Sequence, residues 1–169
     1  MALIVENGSG LSNAESYASV AECDAYHLAR GNTAWTGTTD QKEIALRLAT
    51  QAIEVEYVGR WLGQRINQDM SLSWPRNAVY DSDDYYISAS VVPQRIKDAT
   101  CELALRQVQG DTLVPDISEP GDIEAESVTV GPISVSTEYS GGKSQVKEYS
   151  IVDSLLSIYV TSGGEIVRS

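Results

Sequence analysis

The sequence predicts a mainly α fold: a small helical bundle with a C-terminal β-ribbon or extended arm and a short terminal helix. Three observations carry this. Three stretches within residues 19–110 have helix start signals followed by apolar residues at helical spacing. Residues 128–139 alternate with a period of two around Gly131-Pro132. No regular strand-helix alternation, the mark of a parallel sheet, runs along the chain. With 169 residues, 42% of them hydrophobic, the chain is long enough to bury one core, and nine Tyr and three Trp supply all its aromatic area.

The opening Leu3-Ile4-Val5, followed by Glu6-Asn7-Gly8-Ser9-Gly10, reads as an extended piece running into a turn, so residues 1–18 are expected to form an arm. Ser19 and Glu22 have capping-box spacing, which starts a helix running to Arg30 with Gly31 as its left-handed cap. Asp40 and Glu43 mark a second start. Ile44, Leu48, Ala52 and Val55 then form its apolar side, and Lys42, Glu43, Arg47, Gln51 and Glu54 its polar side. From Trp61 to Val92 the periodicity fails, and two Trp with the paired Tyr85-Tyr86 suggest a long connection packed by its own aromatics. Pro93 suits the first turn of a third helix ending near Val108 before Gly110. On that helix Ile96, Ala99 and Leu103 form one stripe and Cys101, Leu105 and Val108 a second, with Arg95, Asp98, Glu102 and Arg106 as a narrow polar strip. Two apolar sides need two covers, from a larger core or from a neighbouring subunit.

Residues 111–126 hold six acids and no base, with Pro115 and Pro120, and read as a solvated linker that closes a helical core domain of residues 19–110. Beyond it, residues 127–169 hold the ribbon, in which Val128, Val130, Ile133, Val135 and Tyr139 alternate, and a short helix through Val152, Leu155, Leu156 and Tyr159 with Ser150 as its cap. A lone two-stranded ribbon is marginal in water, so it is expected to lie on something else.

The net charge of -12 repels phosphate and speaks against general nucleic-acid binding. Cys23 and Cys101 fall on helices and read as small buried hydrophobes, with no disulfide framework implied. No signal-like N-terminus and no apolar run near the roughly 20 residues of a membrane span is seen, so a cytoplasmic origin and no membrane partner are expected. His27 is the only histidine and has no companion for a metal site or a Ser-His dyad. Gly142-Lys143-Ser144 resembles the end of a phosphate-binding loop, but Thr137 stands where its first glycine belongs. Gly8-Ser9-Gly10 begins a dinucleotide fingerprint that Asn13 breaks. Asp81, Asp83 and Asp84 lack the glycine and the twelfth-position Glu of a calcium loop; Val92 occupies that position. The chain is therefore read as not an enzyme, with no metal and no cofactor.

One segment favours nucleic acid. Between Tyr57 and Tyr80, Arg60, Arg65 and Arg76 face a single acid, Asp69, and interleave with Trp61 and Trp74, the combination that stacks and neutralises single strands. The competing reading packs both Trp under the loop and pairs the Arg with acids, which the acidic surplus favours.

Met1-Ala2-Leu3-Ile4-Val5-Glu6-Asn7-Gly8, Ala14-Glu15-Ser16-Tyr17-Ala18-Ser19-Val20, Tyr26-His27-Leu28-Ala29-Arg30-Gly31-Asn32 and Leu72-Ser73-Trp74-Pro75-Arg76 stand in an order and spacing that resemble one family. Pro93 to Gly110 and Val130-Gly131-Pro132-Ile133 continue the resemblance. The family is that of tailed-phage head-to-tail connector, or adaptor, proteins, whose members are often labelled DnaT-like single-stranded-DNA-binding proteins. The resemblance implies a structural subunit of the virion neck, made in the host cytoplasm. It further implies a homo-oligomeric ring, commonly of twelve copies, between the portal protein and a neck or tail completion protein, with genomic double-stranded DNA passing through without sequence-specific binding. On this reading Cys101, Leu105 and Val108 meet a neighbouring subunit, and Ile133, Val135, Tyr139, Leu155, Leu156 and Tyr159 reach a partner. Deleting residues 140–169 is then expected to abolish docking and leave the helical core folded. The alternative is a single-stranded-DNA-binding replication accessory protein using Arg60, Trp61, Arg65, Trp74 and Arg76.

Overall fold

In the computed structural model the described residues are 2–114 and 149–161, together with the backbone of 125–130 and 133–138. They hold four α-helices and short antiparallel strand pairs, a largely helical architecture that is not a regular bundle. Two compact units are present, one of Met1–Leu113 with Tyr149–Ser169 and one of Val114–Glu148.

Helix α1 (Val20–Ala29) starts at the expected capping box: the Glu22 N–H donates to Ser19 Oγ at 3.2 Å and the Ser19 N–H donates to the Glu22 carboxylate at 2.7 Å. Helix α2 (Thr39–Glu56) is capped two residues earlier than Asp40 and Glu43 suggest, by the equivalent pair Thr38 and Gln41. Asp40 lies in the first turn instead, where its charge still favours the positive end of the helix.

The face of α2 is a correction. Its buried residues are Ala45, Leu46, Ala49, Thr50, Ala52 and Ile53, whereas Ile44, Leu48 and Val55, expected inside, are 54, 37 and 51% exposed. Helix α2 packs chiefly on α3 (Gln94–Val108), and the alanines on its inner side let two helices approach closely. Periodicity weighted by large residues therefore picks the wrong side.

Helix α3 follows Pro93, which stands at the N-cap position, and ends before Gly110 at φ +93°. It packs against α1, α2 and α4 (Ser150–Leu156), so its second apolar side is covered within the same chain. Leu105 and Cys101 are buried and Val108 is half-buried. Glu102, placed by sequence on the polar strip, is 6% exposed and accepts a hydrogen bond from the Tyr26 hydroxyl at 2.8 Å. The cysteines are buried as expected but are not free: Cys23 of α1 and Cys101 of α3 form a disulfide, with their Cα atoms 5.3 Å apart. A separation of 78 residues carries no spacing signal, and only the α1–α3 packing reveals the pair.

The segment expected to be an arm is built into the core. Tyr17 and Ala18 are fully buried, and Glu6 is 1% exposed. The Glu6 side-chain oxygens accept from the N–H groups of Gly8, Gly10 and Leu11 at 2.8, 3.0 and 2.8 Å, which folds the turn around a buried side chain. Gly8, at φ +100°, lies so near the Ser90 carbonyl that a Cβ would stand 2.0 Å from its oxygen.

Helix α4 follows Tyr149 as N-cap, so Ser150 is its first residue, and a 3-10 turn, Ser157–Tyr159, continues it. Val152, Leu156 and Tyr159 are core residues and Leu155 is half-buried. The Leu62 N–H donates to the Tyr159 carbonyl at 2.9 Å and the Thr161 N–H to that of Arg60 at 2.8 Å. Residues 149–161 thus complete the helical unit, and deletion of 140–169 is expected to damage it rather than spare it.

The long connection contains two strands that periodicity missed, β1 (Gln64–Arg65) and β2 (Arg76–Asn77), paired antiparallel. They approach through Gly63, where a Cβ would stand 2.1 Å from the Asn77 carbonyl oxygen. In the second unit, β3 (Ala125–Val130) and β4 (Ile133–Glu138) pair antiparallel, as the alternation predicts, with Val128 opposite Val135 and Val130 opposite Ile133. Ile133 and Val135 are described by their backbone alone, and Tyr139 lies outside the described residues.

Candidate functional site

The segment from Tyr57 to Tyr80 is fixed from below by an aromatic stack. Trp74 is fully buried and Trp61 is 8% exposed. Their rings meet edge to face at 6.2 Å, Trp74 meets Tyr159 at 5.3 Å, and Trp61 meets Tyr57 at 5.6 Å. Neither tryptophan presents a face for stacking a base. Tyr85 and Tyr86, by contrast, stand 73 and 55% exposed just after the tight turn Asp81–Asp84, and Tyr86 meets only Tyr80 across that turn, edge to face at 5.7 Å.

From above, Arg76 staples the same segment. Its Nε donates to the Leu62 carbonyl at 2.6 Å, Nη1 to that of Ser73 at 3.1 Å, and Nη2 to that of Gly63 at 2.7 Å. Burial lowers its pKa from the usual arginine range without removing its charge. Its three bonded nitrogens are committed to backbone. Arg60 Nη1 lies 3.7 Å from a Glu56 carboxylate oxygen, with its guanidinium 5.0 Å from the Tyr57 ring centre. Arg65 is exposed and donates to the Met70 carbonyl at 3.3 Å. Of the five residues singled out for nucleic acid, Arg60 and Arg65 retain surface character and Trp61, Trp74 and Arg76 are structural. Arg76→Lys cannot reproduce a planar fork to three carbonyls, so it is expected to lower stability by about 1–3 kcal/mol in urea unfolding. An unchanged midpoint would contradict the staple.

The stretches that carry the family resemblance meet one another here. The Tyr17 hydroxyl donates to Glu54, and Glu54 also accepts from the Ser73 N–H at 3.1 Å and the Ser73 hydroxyl at 2.7 Å. The Trp74 N–H donates to the Tyr17 oxygen at 3.2 Å. Tyr17 sits in the second quoted stretch and Ser73-Trp74 in the fourth, and Glu54 of α2 joins them. Burial and the neighbouring Glu54 charge together push the Tyr17 hydroxyl well above its ordinary pKa, keeping it a donor.

The third stretch is structural as well. His27 is 1% exposed; its Nε2–H donates to the Cys101 carbonyl at 3.0 Å, and its Nδ1 accepts from Asn32 at 3.1 Å. Both contacts suit neutral imidazole, and burial lowers the His27 pKa from 6.5. Below that pH the unfolded chain takes up a proton that the folded chain resists. Stability is therefore expected to fall as pH drops from 6.5 toward the folded value, and a His27→Gln variant should show a shallower slope between pH 7 and 5 in urea titrations. Identical slopes would remove His27 as the cause.

A family model described as "Putative DnaT-like ssDNA binding protein" matches residues 1–169. The chain belongs to this family. No curated protein and no solved structure matches it. In this DnaT-like chain, no group of three His, Cys, Asp or Glu that could hold a metal ion occurs among the described residues, and no helix there is long and apolar enough to cross a membrane. Of the residues expected at a subunit or partner interface, Cys101, Leu105, Leu156 and Tyr159 are inside the chain's own core, while Val108 and Leu155 are partly open. Sequence reading missed the open apolar side chains of α2, because it assigned them to the core.

Proposed function

We propose that the chain is a head-to-tail connector subunit of a tailed phage, a ring-forming adaptor between the portal and the next neck component through which the genome passes. The observation that carries this reading is where the family-like residues lie. Tyr17, His27, Ser73, Trp74 and Arg76 bond one another, Glu54 or the backbone and hold the helical unit together. A helical unit with a separate ribbon unit suits assembly, since an extended element can add to an edge or fill a groove on a partner. The surplus of twelve acids suits a wall along which DNA slides without sticking. Light scattering of the purified chain, alone and with portal protein, tests the reading. A closed ring, or capture of many copies by the portal, supports it; a monomer that ignores portal refutes it.

A second reading, single-stranded-DNA binding, is favoured directly by the family's description. Its surface shrinks to Arg60 and Arg65, with Trp61 and Trp74 withdrawn. It requires an oligonucleotide affinity that falls with salt, because phosphate contacts release counterions, and that falls again in Arg60→Ala and Arg65→Ala. Weak, salt-insensitive binding would exclude it.

A further inference from the structure

The Cys23–Cys101 disulfide lies where a dissolved thiol cannot reach it. Cys23 is 0% and Cys101 2% exposed, and the bond sits inside the α1–α3 contact. Three further bonds ring it. Lys97 Nζ donates to Glu22 at 2.6 Å, the Tyr26 hydroxyl to Glu102 at 2.8 Å, and His27 Nε2–H to the Cys101 carbonyl at 3.0 Å. Glu22, Tyr26 and His27 are on α1, and Lys97, Cys101 and Glu102 on α3, all within about one helical turn of a cysteine. The two helices are therefore tied before and after the sulfurs.

Thiol–disulfide exchange needs contact. A thiolate attacks one sulfur, forms a mixed disulfide and releases the other cysteine as a thiolate; a second thiol then displaces the first and frees the second cysteine. Two electrons pass from the attacking dithiol to the cystine, and two protons end on Cys23 and Cys101. The attacking sulfur must come within bonding distance of Cys23 or Cys101, and while α1 stays on α3 both are covered. The reverse reaction meets the same obstacle. Closing the dithiol with oxidised glutathione passes through a mixed disulfide on one of these buried cysteines.

We infer that the pair is a sealed redox staple, whose state is set while the chain folds and is kept until α1 leaves α3. Folded molecules with and without the bond then persist side by side and differ in stability, a record of the redox conditions under which each folded. Neither functional reading is needed for this.

Two populations test the seal, prepared by refolding the full chain from urea in oxidised or in reduced glutathione. The oxidised population is placed in excess dithiothreitol across a urea series below the unfolding transition, and free thiols are followed by gel shift with a polyethylene glycol maleimide. The unfolded form of a small domain is less than about one molecule in a thousand, so folded chains should be reduced at least about 1,000-fold more slowly than unfolded ones. The rate should climb with urea in step with unfolding followed by far-UV circular dichroism. Tyr26→Phe, which removes one tie, should speed reduction about five-fold or more. Tyr85→Phe, at an exposed position, should not. The reduced population, once folded, should stay reduced in oxidised glutathione that closes the unfolded chain. Reduction proportional to dithiothreitol and indifferent to urea would overturn the inference. So would closure of the folded dithiol as fast as that of the unfolded chain, equal rates for the parent and Tyr26→Phe, or failure of the bond to form in oxidative refolding.

Discussion

Replacing Trp74 by alanine is expected to destabilise the protein by about 3–5 kcal/mol, the range for emptying a large aromatic site in a core. Trp74 is fully buried, and its ring meets both Trp61 and Tyr159. It therefore joins the long connection to the C-terminal segment, and its loss should loosen residues 57–80 and 149–161 together. Trp74→Phe is the control. The indole Nε1 is buried with no hydrogen-bond partner, so phenylalanine keeps most of the apolar contact and removes a polar group that bonds nothing. It should cost well under half as much in urea unfolding followed by far-UV circular dichroism. A Trp74→Ala chain as stable as the parent, but weaker on single-stranded DNA, would overturn the scaffold role and restore Trp74 as a stacking residue.

What the sequence made legible was local. The Ser19/Glu22 box, Gly31 and Gly110 as helix stops, and the alternation on either side of Gly131-Pro132 all reflect interactions within a few residues, and they reappear in α1, α3 and the ribbon. The reading failed where distance decides. Ile44, Leu48 and Val55 look like a core face because they are large, yet packing against α3 selects the alanine side, where close approach is possible. Residues 1–18 looked like an arm because nothing in them shows that Ser90 lies beside Gly8 and Glu54 beside Tyr17.

The candidate site was half legible for the same reason. Trp interleaved with Arg is the pattern of a base-stacking surface and equally of an aromatic core stapled by guanidinium. Only the three carbonyls around Arg76 and the burial of Trp74 separate the two. The open stripe on α2 was visible in the sequence as residues, but with its direction reversed. On α3 both apolar sides were legible, without the sign that the same chain covers them; on α2 only the large residues were read, and the alanine side was missed.

Removing the Cys23–Cys101 disulfide is expected to cost about 4 kcal/mol, because the bond closes a loop between residues 78 apart and restricts the unfolded chain accordingly. For a chain of this size that corresponds to a fall in melting temperature of about 8–16 °C. A Cys23→Ala, Cys101→Ala double variant is the cleaner form of the test, since both sulfurs are buried and serine would add an unpaired hydroxyl to the core. The fold itself should persist at 20 °C. Helices α1 and α3 remain tied by the Lys97–Glu22 ion pair at 2.6 Å, by the Tyr26–Glu102 hydrogen bond, and by His27 on the Cys101 carbonyl. The variant should therefore keep its helical signal and lose stability, and the parent should show the same lowered midpoint once it is unfolded and refolded in reductant. Equal midpoints for parent and variant without reductant would mean that the two sulfurs are not bonded in solution and that packing alone holds α1 in place.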